Sequence, residues 1–361
     1  MTVPTAATTV QGGTIRMVRD RIRPNKIPFP WPRLAISMVA AALLTTACSG
    51  SAATPSTAAG ATSRPSISLS PVADPSSKPS PAPLPGGRLV YAQFVGEVGT
   101  LFTANPDGTD VTQLLPTGTG ELPRWSPDGG RISVVSDKTK GHLFLAMLDP
   151  DGSNYVQFNY PDPTLNLGCF AWSPDGSRMA CEGWDDTDLS RNGIYTVRSS
   201  DGGDLARVTT SPGGAHDIPT DYSPDGKQIV FIRGVPDAAD DTLMVASADG
   251  SVARALSDRQ LGQARWSPDG KTIVTDADGK LLLVPADGGE IRTIEILSDG
   301  APKTALFASW SPDGYWIVFS GRASKSVDLY IVRMDGTDLH QVTNTPIGMY
   351  EDAADWGVPA P

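Results

Sequence analysis

The chain is poor in the residues on which most catalytic and disulfide-built proteins rely. Its 361 residues include three cysteines and three histidines. Three cysteines cannot form a dense disulfide framework. Neither His-Glu-x-x-His nor a cysteine pair at zinc spacing occurs, so the common zinc chemistries have no ligand set. Gly-x-Ser-x-Gly is missing too, and with five residues after Trp356 no hydrolase domain is expected behind that point. The main apolar run, Leu34 to Ala47, has 14 residues, short of the roughly 20 that a spanning helix needs. Positive charge is scarce as well. From Cys48 onward 23 basic side chains face 39 acidic ones, a formal charge of −16. Such a surface repels phosphate backbones and anionic headgroups, which excludes nucleic acid as a partner and electrostatic attachment to a membrane.

Glycine and proline, by contrast, are abundant at 37 and 32 residues. The first 47 residues read as an export signal, a basic stretch followed by the short apolar run. The run ends Leu44-Thr45-Thr46-Ala47-Cys48 and resembles the lipobox of bacterial lipoproteins, with Thr45 where Leu is usual. That resemblance implies cleavage before Cys48 and acylation of its thiol. An ordinary cleaved signal and a retained anchor helix are the alternatives. Residues 48–86 are Ser, Ala, Pro, Thr and Gly with almost no large apolar side chain, a composition that cannot offset chain entropy by burial. They are expected to form a disordered tether. The expected location is therefore outside the cytoplasm, lipid-anchored and facing the periplasm or cell exterior.

Residues 87–361 are governed by a repeat. Trp-Ser-Pro-Asp-Gly begins at Trp125, Trp172, Trp266 and Trp310, with Tyr222-Ser-Pro-Asp-Gly as a variant and Asp355-Trp356-Gly357 as a truncated copy. The steps are 44 to 50 residues, in the range of propeller blades. A second marker, Asp-Gly after a short apolar strand, starts at Asp107, Asp151, Asp201, Asp249, Asp287 and Asp335. In Ser-Pro-Asp-Gly the proline fixes φ for the first central position of a type I turn, Asp suits the second, and Gly takes the left-handed position that reverses a strand. Alternating or apolar strands flank each marker, giving four short strands per repeat. The first repeat lacks its innermost strand, which Ala353 to Val358 can supply. An all-β, six-bladed propeller of four-stranded antiparallel blades, closed by pairing of the two chain ends, is expected, and a monomer. The tryptophans are expected to act as wedges between blades.

The repeated Trp-Ser-Pro-Asp-Gly with its following Leu-Tyr-x-Val-x-x-Asp-Gly strand pair resembles the TolB-type propeller repeat over Gly87 to Gly357. The resemblance implies the fold and a general habit of binding. It does not imply catalysis. Gly270-Lys271-Thr272 imitates the end of a phosphate-binding loop, but Arg265 stands where that loop needs its first glycine. Asp149-Pro-Asp-Gly and Asp185-Asp-Thr-Asp gather carboxylates without a Glu at the twelfth loop position. They read as a hairpin turn and a solvated loop.

If the Ser-Pro-Asp-Gly hairpin of the third repeat pairs Ser173 with Ser177, Cys169 and Cys181 fall directly opposite, and a cross-strand disulfide is feasible in an exported protein. A one-residue slip would leave two free buried thiols. The Ser-Pro-Asp-Gly and Asp-Gly turns must share one face of the ring. The variable connections share the other, where binding usually sits. On that loop face, just before the innermost strands, stand Glu121, Asn166, His216, Asp217, Glu351 and Asp352, with Trp184 and Tyr350 expected exposed beside them. This set is the candidate mouth for a cation or a basic or hydroxyl-rich ligand, His216 being its only switch near neutral pH. No cofactor is expected, and Ca2+ or another divalent cation is left open. The function expected is a lipid-anchored binding or scaffold module for an envelope or cell-surface protein, a peptide or a glycan. The alternative is a propeller enzyme of lyase, lactonase or hydrolase type, or a metal or small-ligand sensor using the channel mouth.

Overall fold

A computed structural model describes residues 84–96, 98–139, 142–235, 241–257, 261–323 and 325–358. The signal segment, Cys48 and the tether up to residue 83 lie outside the described residues. The strands form six four-stranded antiparallel sheets, each a blade. Five blades are consecutive in sequence, with innermost strands Glu121–Trp125, Asn166–Trp172, His216–Tyr222, Arg265–Trp266 and Thr304–Trp310 for blades 2 to 6. Blade 1 takes its innermost strand from the end of the chain. Met349–Gly357 pairs with Arg88–Val95, Arg88 facing Gly357 and Val95 facing Met349. The ring is thus closed by backbone hydrogen bonds that join the two ends of the chain in one blade. Neighbouring blades pack through alternating apolar residues, as where Leu89, Trp316, Val318, Ile331 and Trp356 of blades 1 and 6 form one buried cluster.

The turn motif folds as its chemistry dictates. In each intact copy the serine hydroxyl donates to the aspartate and accepts the backbone N–H five residues on, at 2.6 and 2.8 Å for Ser126 with Asp128 and Arg131. The turn glycines all have φ between 70 and 74°.

The Asp-Gly marker carries a second constraint. A Cβ on Gly152 would lie 2.2 Å from the carbonyl oxygen of Leu114 in the preceding blade, and the same approach recurs at Gly108, Gly250 and Gly336. These glycines let one blade seat on the backbone of the last. The seam between blades 4 and 5 differs, because Gly288 has nothing within 4 Å of its Cβ position. Arg254 spans that seam instead, donating to the Ala286 carbonyl at 2.7 Å.

Cys169 and Cys181 are bonded, though not on the register expected from the turn. Next to the turn, Trp172 pairs with Met179 and Ala171 with Ala180, one residue away from a Ser173–Ser177 pairing. Continued, that register would place Glu182 opposite Cys169. A β-bulge at Phe170 shifts the ladder by one and returns Cys169 to face Cys181.

The seam geometry predicts unequal tolerance of the two glycine types. Gly152→Ala meets both a left-handed φ and a backbone clash, whereas Gly288→Ala meets the left-handed φ alone, worth about 1–2 kcal/mol. Thermal melts should show the larger loss for Gly152→Ala; equal losses would remove the role given to the close approach.

Candidate functional site

The residue before the aromatic of each repeat lines the channel. In ring order from blade 1 to blade 6 these are Asp355, Arg124, Ala171, Asp221, Arg265 and Ser309, all on the wall of one axial cavity. Asp, Arg and a small residue therefore occur twice, related by a half-turn of the ring. The backbone repeats the relation. Asp355 Oδ2 accepts from the N–H of Trp125 at 2.9 Å, and Asp221 Oδ2 accepts from the N–H of Trp266 at 2.8 Å. Arg124 donates to Asp355 Oδ1 at 3.3 Å. Between the two guanidinium groups lies the Gln263 amide; with its oxygen turned toward them it accepts from Arg124 Nη2 at 3.2 Å and Arg265 Nη2 at 3.1 Å.

Above this layer, at the turn end, the cavity encloses about 330 Å³. Its wall is the six repeat aromatics, Trp125, Trp172, Tyr222, Trp266, Trp310 and Trp356, and its rim the turn prolines 127, 174, 224, 268 and 312. The aromatics also wedge between blades. Trp172 Nε1 donates to Ser133 Oγ of blade 2 at 3.0 Å, and Trp310 Nε1 to the Arg265 carbonyl of blade 5 at 3.1 Å. Burial pushes Asp221 up to about 7, with the like charge of Asp355 adding to it, while the Trp266 N–H and the Arg124 charge pull the other way.

Below the layer the channel is filled. Leu122, Phe170, Ile218, Leu306 and Phe307, from the inner strands of four blades, meet with Trp184 in one cluster. Leu122 and Phe307 stand at φ 51 and 55° in the bulges of their strands, a left-handed conformation that costs a non-glycine residue about 1 kcal/mol or more. The plug separates a turn-end cavity from the loop end.

Similarity to known proteins agrees with this architecture. The model of the TolB beta propeller domain matches residues 87–358. The chain belongs to that family. Among curated proteins it is 28% identical over 258 residues to "Tricorn protease homolog 1" of Streptomyces coelicolor, covering 65% of this chain and 22% of that protein. It is 27% identical over 230 residues to "Uncharacterized peptidase YuxL" of Bacillus subtilis, covering 58% and 31%. The chain thus spans under a third of either relative. Among solved structures, TolB from Acinetobacter baumannii superposes with a TM-score of 0.60 at 20% identity, covering 76% of this chain and 67% of that one. That likeness speaks to fold.

In this TolB propeller the loop-face candidates do share one end of the ring, at the starts of the inner strands of blades 1 to 4. They are, however, mostly buried and engaged. Asp217 accepts Arg233 Nε and Nη2, both at 2.7 Å, and Thr209 Oγ1 at 3.3 Å. His216 Nδ1 lies 2.6 Å from Glu182 Oε1. Glu351 accepts Gln93 Nε2 at 3.1 Å and the Thr343 hydroxyl, and burial raises its pKa. Glu121, Asn166 and Asp352 are buried too.

The expectation that Trp184 and Tyr350 stand exposed is wrong. Their relative exposures are 7% and 8%, since Trp184 joins the channel plug and Tyr350 stacks on Phe94 with ring centroids 4.9 Å apart. Asp185 is likewise no solvated loop residue. Its Oδ1 accepts from Thr187 N and Oγ1 and Asp188 N, and its Oδ2 from Arg191 Nη1. Among the described residues no group of three or more His, Cys, Asp or Glu side chains is placed to hold a metal ion. The Asp–Arg layer has no signature within a single repeat; its signal is the residue before each aromatic, compared across the six repeats.

Near the loop end Asp276 sits against Gly262, where a Cβ would meet its Oδ2 at 2.5 Å. Burial and then the Asp352 charge push it up to about 7, against one N–H bond from Phe307. A carboxyl raised in the folded state keeps its proton there between about pH 4 and pH 7, where the unfolded chain has lost it. Its contribution to stability is therefore full below pH 4 and is lost as pH rises through 7. Asp276→Asn keeps the acceptor without the charge, so it should melt above the parent at pH 8 and level with it at pH 4. A difference independent of pH would contradict the assignment.

Proposed function

We propose that this TolB propeller is an exported, lipid-anchored binding module, and that an envelope protein docks at the turn end of its channel. The observation that carries the reading is the axial cavity, preformed, aromatic-walled and rimmed by prolines, the kind of concave apolar site with a few polar groups that ligands and protein anchors use. A propeller positions residues and does not by itself imply chemistry. The sequence before residue 87, a short apolar run ending at Cys48 and a Ser/Pro-rich tether, supports export and an acyl anchor that holds the ring off the membrane. Among the described residues no helix is long and apolar enough to span a bilayer. The two peptidase-named relatives favour a second reading, a propeller that hands peptides to a peptidase. The same cavity would serve it.

Two measurements test the reading. A photo-cross-linking residue in place of Tyr315, 62% exposed beside a turn, should capture a stoichiometric envelope protein on intact cells. The same residue in place of Val95, 56% exposed at the loop end opposite Met349, should not. Capture only from Val95, or from neither, rejects the turn end as the docking face. Separately, Cys48→Ala should leave the protein unprocessed or shed into the medium; unchanged membrane fractionation would reject the anchor.

A further inference from the structure

The half-turn symmetry of the channel layer is broken at one residue. Asp355 is fully served. Its Oδ1 accepts from Ser309 Oγ at 2.9 Å and from Arg124 Nη1, and its Oδ2 accepts the Trp125 N–H. The equivalent partners of Asp221 have gone. In the place of Ser309 stands Ala171, which has no hydroxyl. In the place of Arg124 stands Arg265, whose Nη1 turns to the carbonyl oxygens of Thr220 and Ala264. Asp221 keeps two backbone bonds, from Tyr222 N at 3.0 Å and Trp266 N at 2.8 Å. A carboxylate has about four acceptor sites, so roughly half of its capacity is unused. It is half-buried and faces the cavity, whereas both arginines are buried with their donors turned to protein oxygens.

We propose that Asp221 is a head-group site for an organic cation, the guanidinium or ammonium of an arginine or lysine that the docked partner inserts into the aromatic cavity. The inference rests on the turn-end docking proposed above and names its recognition chemistry. Three features favour a cation over an anion. The open group is an acceptor. The wall is built of tryptophan and tyrosine, the rings that best attract a cation. The rim outside the prolines carries a turn aspartate from each of five blades; Asp225 and Asp269 are paired with Lys227 and Lys271, and hydroxyl and backbone hydrogen bonds hold Asp175 below the usual carboxylate range. Around Asp221 the charged groups are Arg124, Arg265 and Asp355, and the first of these is already paired. A bound cation holds Asp221 ionised, so affinity should rise between pH 6 and pH 8.

The test uses the full chain in detergent with Nα-acetyl-arginine amide as probe and Nα-acetyl-norleucine amide as its neutral control, followed by titration calorimetry. The arginine probe should bind and the norleucine probe should bind at least tenfold more weakly. Asp221→Asn should lose at least tenfold in affinity. Ala171→Ser, which restores the missing hydroxyl, should lose severalfold. Glu290→Gln, an exposed charge removed from the same face, should change it less than twofold. Equal binding of the two probes, or equal binding by parent and Asp221→Asn, overturns the site. On cells, Asp221→Asn should lower the cross-linking yield from position 315. An unchanged yield beside weakened probe binding would mean a free small cation and overturns the partner-borne one, leaving the docking face standing. Loss of all cross-linking in the parent would instead reject the docking face.

Discussion

Backbone pairing between Arg88–Val95 and Met349–Gly357 is the constraint on which the rest of the ring depends. Each blade presents an innermost strand to the axis, and blade 1 has one only because Arg88–Val95 finds a partner some 260 residues away in sequence. With that pairing made, every repeat aromatic is clamped between two blades, and every residue preceding it is fixed on the channel wall. Asp355 belongs to the closing strand and bonds residues of blades 2 and 6. Closure and the polar layer are therefore one arrangement seen from two directions.

The bulges in the inner strands turn a uniform repeat into a specific channel. One extra residue two or three positions before the aromatic re-aims the side chains that follow, sending Phe170 and Phe307 inward to plug the axis. The plug leaves two unlike ends. At the loop end, charged residues are buried and matched to protein partners, as Asp217 is to Arg233. At the turn end, an apolar wall surrounds a carboxylate with acceptor capacity to spare. Burying polar groups is costly unless their bonds are satisfied, so the contrast bears on which end is finished structure and which awaits a ligand.

The architecture was legible in the sequence because turn chemistry is local. Pro, Asp and Gly each have a separate reason to occupy their places in Trp-Ser-Pro-Asp-Gly, and six copies set the blade count. The Asp-Gly marker was read correctly as a turn, but the backbone approach of Gly152 to Leu114 belongs to the neighbouring blade, which no single repeat can show. Bulges were illegible for the same reason. Cys169 faces Cys181 through a shift at Phe170 that leaves no compositional trace. The exposure expected for Trp184 fails because a residue at the end of a variable connection can turn inward, and its ring completes the core of the channel. The Asp–Arg layer was within reach of the sequence, one position before each aromatic, and needed comparison across repeats.

The most direct measurement of the central claim, that the turn end is the working end, is hydroxyl-radical footprinting of the protein on intact cells against the purified chain. Trp172, half-buried on the cavity wall, and Met349, half-buried at the loop end, are both readily oxidised and serve as paired reporters. The account predicts that Trp172 is protected on cells relative to the purified protein while Met349 oxidises equally in both. Protection of Met349 with Trp172 unchanged would contradict it.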